Sequence, residues 1–294
     1  MAVNKDSKLL TLILSFEDGP FRKIQEEGQD ATFLKGASEE SIVIRYVGKS
    51  SKLSLRYKIL FKIRRWQYAL LDFSQYWPIG ALLRLLANSR FGDRAVRGIP
   101  RIQLEASEQT TTEVIVPGKP GSKIITNSPE DWSLIGLKTL LAFKYVLEKY
   151  DFEYLFRTNT SSYLDTQALL GFLEGKPKTS FYAGVVGKVF GNSEFASGAG
   201  ILLSRDVVER ICERADDWKH GLVDDIAIAD LVARFTSPRV PLVPLPRLDL
   251  PTLETAMATD KEIIGSNFHF RCKSNSAQET IDIMQYVHKI KTAT

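Results

Sequence analysis

The 294-residue chain contains only two cysteines, Cys212 and Cys272. One lies within a predicted helix and the other in a basic stretch, so the sequence has neither a disulfide framework nor a metal-ligand spacing. Long apolar runs are also missing. The run at residues 9–16 is far shorter than the roughly 20 residues that span a bilayer. These absences predict a protein of a reducing, cytoplasmic compartment, without a signal peptide or membrane anchor.

Two familiar phosphate-binding patterns are absent as well. No Gly-x-Gly-x-x-Gly motif and no complete Gly-x-x-x-x-Gly-Lys-Ser/Thr loop occurs, which argues against dinucleotide dehydrogenases and P-loop enzymes. Hydrophobic residues at 44% and charged residues at 25% match ordinary globular usage, so disordered, collagen-like and coiled-coil classes are excluded. We expect a single globular domain over residues 1–294.

The net charge of +4 is modest, but its distribution is uneven. Seven lysines and arginines between Lys49 and Arg65 occur without an acid before Asp72, and they interleave with apolar and aromatic residues. We expect a basic and aromatic helical insertion at about residues 49–100. Cations and interfacial aromatics favour anionic bilayers, so residues 49–77 are a candidate for peripheral contact with the inner face of a membrane. A helix that packs its apolar face inside the protein explains the same pattern.

Apolar runs and helical periodicities alternate along the rest of the chain. Residues 9–16 form a short continuous apolar run that stops at a turn, as a buried parallel strand does, whereas Leu140, Phe143 and Leu147 recur with helical spacing. Such alternation predicts an α/β protein with a central, mainly parallel sheet and helices on both faces. Further strands are expected at 41–47, 101–105, 113–117, 123–126 and 154–157, further helices near 206–218, 224–235 and 276–290, and irregular structure in the proline-rich residues 236–266.

A polar run at residues 157–162 directly follows the apolar residues 154–156. In an open α/β sheet, ligands bind beyond the carboxyl ends of strands, so this run is a candidate binding segment. A polar turn that leads into a helix near Asp165, with a serine or threonine as N-cap, explains the same residues. The candidate contacts are Arg157, Asn159, Thr160, Ser161 and Ser162.

Two further patterns contain residues suited to chemistry. The small residues from Ser197 to Gly200 let backbone approach a ligand closely, although tight packing of a helix on a sheet requires the same residues. Asp224 and Asp225 form an acid pair at the start of a predicted helix. One aspartate there is explained as a cap that complements the helix dipole. Two adjacent carboxylates in a cleft raise the pKa of one of them, as suits a general base.

A basic run near the C-terminus contains His269, Arg271 and Lys273. Imidazole, guanidinium and ammonium groups so close together can bind a phosphate. An exposed basic loop is an equally good interpretation, because such runs are often simply solvated.

In their order along the chain, these patterns resemble the fringe and β-1,3-galactosyltransferase group of inverting GT-A glycosyltransferases over about residues 124–231. The group's lysine-threonine pair on a helix before a strand is similar to Lys138-Thr139 and residues 154–156. The group also has a motif of tyrosine, alanine, serine, glycine, alanine and glycine with a later serine, and residues 195–204 are similar to it. Its acidic pair, which includes the catalytic base, is similar to Asp224-Asp225.

The sequence departs from that group at the metal site. The group holds a divalent metal against the donor diphosphate with an aspartate cluster, and here Asn159, Thr160 and Ser161 occupy that place. Neutral amides and hydroxyls are poor ligands for a hard cation, so we expect no metal cofactor. Positive side chains must then offset the diphosphate charge, and the resemblance points to His269, Arg271 and Lys273.

The resemblance implies a Rossmann-like GT-A sandwich and a cytoplasmic enzyme of polysaccharide biosynthesis. Such an enzyme moves a sugar, with inversion, from a nucleotide-sugar to a saccharide or lipid-linked saccharide. Asp225 would be the base, assisted by Asp224. The alternative is a catalytically inactive module that binds a nucleotide or carbohydrate, and nucleic-acid binding is not expected because acids elsewhere nearly cancel the basic charge. The expected donor contacts are Ser15, Phe16, Arg45, Lys138, Arg157, Asn159, Thr160, Ser161, Ser162, His269, Arg271 and Lys273, and the expected acceptor contacts are Ser197, Gly198, Ala199 and Gly200.

Overall fold

The structure is a computed structural model that describes residues 5–17, 19–35, 40–49, 111–115, 121–189, 193–219 and 222–293. Beyond Lys49, the insertion predicted for about residues 49–100 lies outside this part of the chain. The strand predicted at 101–105 and the membrane contact predicted for 49–77 lie outside it in the same way.

The described strands and helices alternate, as the apolar patterns predict. A π-helical turn (Ile24–Gln29) follows the first helix directly. The strands are β1 (Lys5–Leu14), β2 (Ser41–Lys49), β3 (Thr112–Ile115), β4 (Ser122–Pro129), β5 (Tyr150–Asn159), β6 (Ser162–Leu164), β7 (Tyr182–Val189), β8 (Ser193–Ser204), β9 (Leu242–Pro244), β10 (Leu248–Asp249) and β11 (His269–Arg271). The α-helices are α1 (Pro20–Lys23), α2 (Ile135–Lys149), α3 (Thr166–Phe172), α4 (Arg205–Glu213), α5 (Asp224–Val232), α6 (Leu253–Ala258), α7 (Lys261–Ser266) and α8 (Ala277–Ala293).

Within the described residues, the larger sheet has eight strands in the order β3-β4-β2-β1-β5-β8-β7-β9. Strands β4, β2, β1 and β5 are parallel neighbours, and β8 is antiparallel to both β5 and β7. Alternate residues of β1 point to opposite faces: Leu10 and Leu12 pack in a core with α2, α4 and α5, whereas Leu9 and Ile13 pack in a second core with α3 and α8. The predicted α/β class with helices on both faces is therefore confirmed.

The parallel strands bring four carboxyl ends to one edge of the sheet. The three-stranded sheet β10-β11-β6 adjoins this edge, because β6 begins three residues after β5 ends. Its attachment includes a hydrogen bond of 2.8 Å from the N–H of Cys272 to the carbonyl of Ser161. The edge is where ligands bind in open α/β sheets. Each described helix is too short or too polar to cross a bilayer.

Several predicted boundaries are wrong. β5 continues through Asn159, so residues 157–159 belong to a strand rather than a turn. The N-cap of α3 is Asp165, whose carboxylate accepts the N–H of Ala168 at 3.0 Å, and not a serine or threonine. Residues 236–266 contain the short helices α6 and α7, both of which follow Pro251, the last proline of the range. Side-chain caps at Thr252 and Asp260 start these helices.

Candidate active site

A buried ion pair between Arg157 and Asp224 lies at the centre of the site. Arg157 in β5 is 2% exposed and Asp224 at the start of α5 is 1% exposed, and their side chains form a close salt bridge. The hydroxyl of Thr139 donates to Asp224 at 2.9 Å, Tyr46 lies 2.9 Å from Thr139, and the Nε of Arg157 donates to Tyr46 at 3.1 Å. These four side chains form a closed ring, which we call the anchor ring.

The anchor ring keeps two charges inside the protein. Burial lowers the pKa of Arg157, but Asp224, Tyr46 and Asp225 together outweigh burial. The net pKa is therefore raised, and the guanidinium stays charged. The ring connects β2, β5, α2 and α5, which are far apart in sequence. An ion pair buried this completely is stable only when its remaining polar atoms are also bonded, and Thr139 and Tyr46 provide those bonds.

Asp225 is held next to the anchor ring but remains partly exposed. Its Oδ2 accepts the N–H of Gly198 at 3.0 Å and its Oδ1 accepts the N–H of Ile226 at 2.9 Å. Burial and the nearby charge of Asp224 raise the pKa of Asp225 to about 6, while Arg157 and the two N–H groups oppose the rise. The carboxylate is therefore ionised at neutral pH yet basic enough to take a proton.

Gly198 is hydrogen-bonded both to the anchor ring and to Asp225. Its carbonyl accepts a hydrogen bond from Arg157 while its N–H donates to Asp225. A Cβ at this position would lie 2.9 Å from Nη1 of Arg157, closer than real Cβ atoms approach other groups, and 3.0 Å from Oδ2 of Asp225, which is tighter than most real Cβ contacts. The small residues lie inside β8, and Gly198 lets Arg157 and Asp225 approach the backbone closely. The sequence pattern allowed either tight internal packing of this kind or close approach to a ligand.

His269 has a structural environment. It is 0% exposed, its Nε2 donates to the carbonyl of Ala199 at 3.0 Å, and a Cβ on Gly200 would lie 2.1 Å from its Cε1. Burial and the charge of Arg247 lower the pKa of His269 to about 3, so the ring is neutral. The expectation that His269 supplies positive charge is therefore wrong.

Polar groups of the turn after β5 form hydrogen bonds with one another. The Oδ1 of Asn159 accepts the N–H of Ser161 at 3.1 Å and its hydroxyl at 2.8 Å, and Thr160 and Ser162 are buried. Gln29 of the π-helical turn donates to the carbonyls of Asn159 and Ser162, both at 3.1 Å. Within the described residues, no three His, Cys, Asp or Glu side chains form a group that could hold a metal. Asn159, Thr160 and Ser161 offer a divalent cation only neutral oxygens, and the Oδ1 of Asn159 is already bonded to Ser161.

Positive charge lies on the small sheet beside this turn. Arg271 is partly exposed, and its side chain has no hydrogen-bond or ion-pair partner within the described part of the chain, although its Nε is buried. Lys273 is exposed nearby in sequence. Arg247 donates to Asp249 at 2.5 and 2.9 Å and to the hydroxyl of Ser197 at 3.0 Å. Sequence reasoning missed Arg247, because it follows a run of prolines with no periodic pattern.

Three of the predicted donor contacts are already paired within the protein. Arg157 belongs to the anchor ring. Arg45 is 8% exposed in an ion pair with Asp30, and Lys138 is 0% exposed in an ion pair with Glu130. Burial lowers the pKa of Lys138, against the effect of Glu130. The structure therefore corrects their assignment: these cations position other groups instead of facing the cleft.

Ser15 and Phe16 follow β1 at the carboxyl edge, as expected. Ser15 is fully buried, whereas Phe16 stacks on Trp132 with ring centroids 4.4 Å apart. Trp132 is 61% exposed and lies just before α2. Sequence reasoning missed it, and the available signal was its position directly after the carboxyl end of β4.

Comparison of the sequence with models of known protein families and with curated proteins finds no match. The chemistry of the site therefore follows from its own residues. They combine a partly exposed carboxylate with a raised pKa, a cation that has no partner among the described residues, and an exposed aromatic ring at one edge of the sheet. Such an arrangement is suited to removing a proton from a hydroxyl beside a bound anion.

Replacing Asp224 with Asn should destabilise the protein strongly, because it leaves the charge of Arg157 buried without a counter-ion. We expect a loss of about 3–5 kcal/mol in the free energy of unfolding, measured by urea denaturation at pH 7. Asp151→Asn is the matched control on the same strand as Arg157: its side chain is 57% exposed and pairs with Arg205, so the expected loss is at most about 1 kcal/mol. Equal losses in the two variants would contradict the central role of the anchor ring.

Replacing Gly198 with Ala should raise the pKa of Asp225 above its value of about 6. The added Cβ displaces the N–H that stabilises the ionised carboxylate, so the proton binds more tightly. Titration of the Asp225 carboxyl carbon by NMR measures the shift. The control is Gly171→Ala, where a Cβ meets nothing within 4 Å and the pKa of Asp225 should stay constant. The same constancy in Gly198→Ala would disprove the role of this hydrogen bond.

Proposed function

We propose that the protein is an inverting glycosyltransferase of the GT-A type in which Asp225 deprotonates the acceptor hydroxyl. The observation that carries the proposal is the state of this carboxylate, which is partly exposed at the ligand-binding edge of the sheet with a pKa of about 6. A base of that pKa is ionised at neutral pH and still gains enough from protonation to assist an attack. The resemblance of residues 124–231 to inverting enzymes supports the same role.

The surroundings of Asp225 support a fixed direction of attack. Its two oxygens are held by the N–H groups of Gly198 and Ile226, and Gly198 is held in turn by Arg157. A base whose supporting groups are themselves held in place keeps its position while the substrate reacts. The acceptor hydroxyl approaches Asp225 beside Ser197 and Gly198, gives up its proton to the carboxylate, and its oxygen bonds to the anomeric carbon as the bond to the diphosphate breaks. Asp224 acts through the pKa of Asp225 and does not touch the substrate.

The departing diphosphate requires positive charge, and we assign that role to Arg271 and Lys273. Arg271 has an unpartnered side chain within the described residues and pairs in register with Ser162, at the end of the 159–162 turn. A guanidinium binds phosphate oxygens in a forked geometry, which suits a leaving diphosphate. Because the turn offers no carboxylates for a divalent cation, these cations replace the metal in the proposed reaction.

The donor and acceptor classes follow from the same placement. A nucleotide-sugar extends along the carboxyl edge from the ends of β1 and β4 towards Asp225, so its base lies near Phe16 and Trp132. The acceptor is a saccharide or a lipid-linked saccharide. For a lipid-linked acceptor, residues 49–77 are the proposed contact with the inner face of a membrane, and a cytoplasmic location is part of the proposal.

Replacing Asp225 with Asn should lower the rate of sugar transfer about 100- to 10,000-fold while keeping the shape of the site. In the unchanged protein, kcat/KM should rise with pH and level off above about pH 6, because only the ionised carboxylate accepts a proton. This pH dependence should be absent from the residual activity of Asp225→Asn. Radiolabelled sugar transfer across pH 4.5–8 measures both effects.

The stability of Asp225→Asn provides the control. A raised pKa means that the folded state prefers protonated Asp225, so ionisation destabilises the fold above about pH 6 and this cost disappears as the pH falls towards the unfolded pKa near 4. The variant should therefore be at least as stable as the unchanged protein at pH 7. A folded, fully active Asp225→Asn protein would contradict the mechanism. Donor binding without any transfer by the unchanged protein would favour the inactive binding module.

Activity should survive the removal of divalent metal. With the donor bound by side-chain cations rather than by a divalent metal, an excess of EDTA should change the transfer rate less than about twofold. Replacing Arg271 with Gln should instead raise the KM for the donor about tenfold or more, since a bond to a charged group is lost. Complete loss of transfer in EDTA, restored by manganese, would overturn the metal-independent part of the proposal.

A further inference from the structure

Residues 197–200 of β8 form a β-bulge at the sheet edge that holds Asp225. On one side of these residues Ile201 pairs with Gly184 of β7, and on the other side Ala196 pairs with Val186. Residues 197–200 therefore lie opposite residue 185 alone, so the regular ladder is interrupted here. Bulges are common next to active sites, where they re-aim side chains.

Three basic side chains from separate elements contact the bulge: Arg157 of β5, Arg247 just before β10 and His269 of β11. The charge of Arg157 is balanced by Asp224, and the charge of Arg247 is balanced by Asp249. His269 is buried and neutral. These three side chains therefore fix the shape of the bulge without offering a free positive charge to a ligand that lies on it.

Arg247 is itself held in place by Asp249. Its Nε donates to Oδ1 of Asp249 at 2.5 Å and its Nη2 donates to Oδ2 at 2.9 Å, which is a bidentate pair. The side chain of Arg247 is 5% exposed, whereas that of Asp249 is 54% exposed. The guanidinium is thus fixed inside the protein, and its Nη1 donates to the hydroxyl oxygen of Ser197 at 3.0 Å.

This hydrogen bond determines what the hydroxyl of Ser197 can offer to a ligand. A guanidinium only donates, so the Ser197 oxygen is the acceptor of the pair and its own proton remains available to donate. Ser197 is partly exposed. The next residue, Gly198, donates its N–H to the carboxylate of Asp225. Two consecutive residues therefore carry a hydroxyl that donates and hold a carboxylate that accepts.

We infer that the bulge binds the sugar acceptor, that Arg247 is the positioning residue that orients the Ser197 hydroxyl, and that this acceptor is an uncharged sugar recognised through two neighbouring hydroxyls. The inference rests on the proposed function, in which Asp225 takes the proton of the attacking hydroxyl. The neighbouring oxygen of the sugar accepts a hydrogen bond from Ser197. A carboxylate or phosphate on the acceptor would instead be repelled by Asp225 and Asp249, while both arginines of the bulge are already paired.

Titration with methyl glycosides, followed through the NMR signal of the Gly198 N–H, tests the inference. The probes are the methyl glycosides of glucose, galactose and mannose, each with its uronic acid counterpart. At least one neutral glycoside should bind, and its uronic acid counterpart should bind about tenfold or more weakly because of charge repulsion. Ser197→Ala should weaken the binding of the neutral glycoside about three- to tenfold, since one hydrogen bond is lost.

A positioning role for Arg247 predicts that its loss and the loss of Ser197 are not additive. Arg247→Met should weaken glycoside binding about as much as Ser197→Ala, and the double variant should bind no more weakly than either single variant. Arg247→Lys keeps a donor and should restore part of the affinity. In the transfer assay the acceptor KM should rise in the weakened variants, while kcat and the donor KM stay within about twofold. Arg234→Met, which removes an ion pair with Asp230 at the far end of α5 from Asp225, is the matched control and should leave binding unchanged.

Each part of the inference has its own contrary result. Additive losses in the double variant would overturn the positioning role of Arg247. Absence of glycoside binding, or binding that Ser197→Ala leaves unchanged, would overturn the bulge as the acceptor site. Equal or tighter binding of the uronic acid counterparts would overturn the uncharged acceptor. In all these cases, sugar transfer that depends on Asp225 would leave the proposed function standing. Glycoside binding through Ser197 without transfer from any nucleotide-sugar would contradict the proposed function and leave the bulge as a saccharide site.

Discussion

The salt bridge between Arg157 and Asp224 is the interaction on which the rest of the site depends. Two charges this deeply buried are stable only if each retains its partner and their other polar atoms are bonded. Tyr46 and Thr139 meet that requirement. They come from a different strand and a different helix, so the requirement also fixes how β2, β5, α2 and α5 are placed relative to one another.

The same ion pair determines the chemistry of Asp225. Burial and, after it, the adjacent charge of Asp224 raise the pKa of Asp225 to about 6, while Arg157 limits the rise and orients Gly198. The arrangement makes the ionised carboxylate less stable in the folded protein than in water. The proposed function thus requires a local destabilisation, which the anchor ring and the two surrounding cores offset.

Fold prediction from the sequence succeeded where the pattern is long and local. Continuous apolar runs indicated β1 and β2, and helical spacing indicated α2 and α8, because burial on one or two faces imposes a period on the chain. Prediction failed where tertiary contacts override local signals. Arg157 is polar but lies inside β5, since a distant aspartate neutralises it, and the proline-rich residues 236–266 form short helices through caps that periodicity does not reveal.

The sequence by itself determined the α/β class and the candidate residues at the sheet edge. Apolar runs, helical periodicity and short motifs of small or acidic residues all involve residues that are close together in sequence. The tertiary structure alone decided the role of each candidate. It buried Arg157, Lys138 and Arg45 in ion pairs, made His269 neutral, and left Asp225 partly exposed with a raised pKa. Charge and pKa depend on burial and on partners brought from distant parts of the chain, and no single stretch of sequence contains that information.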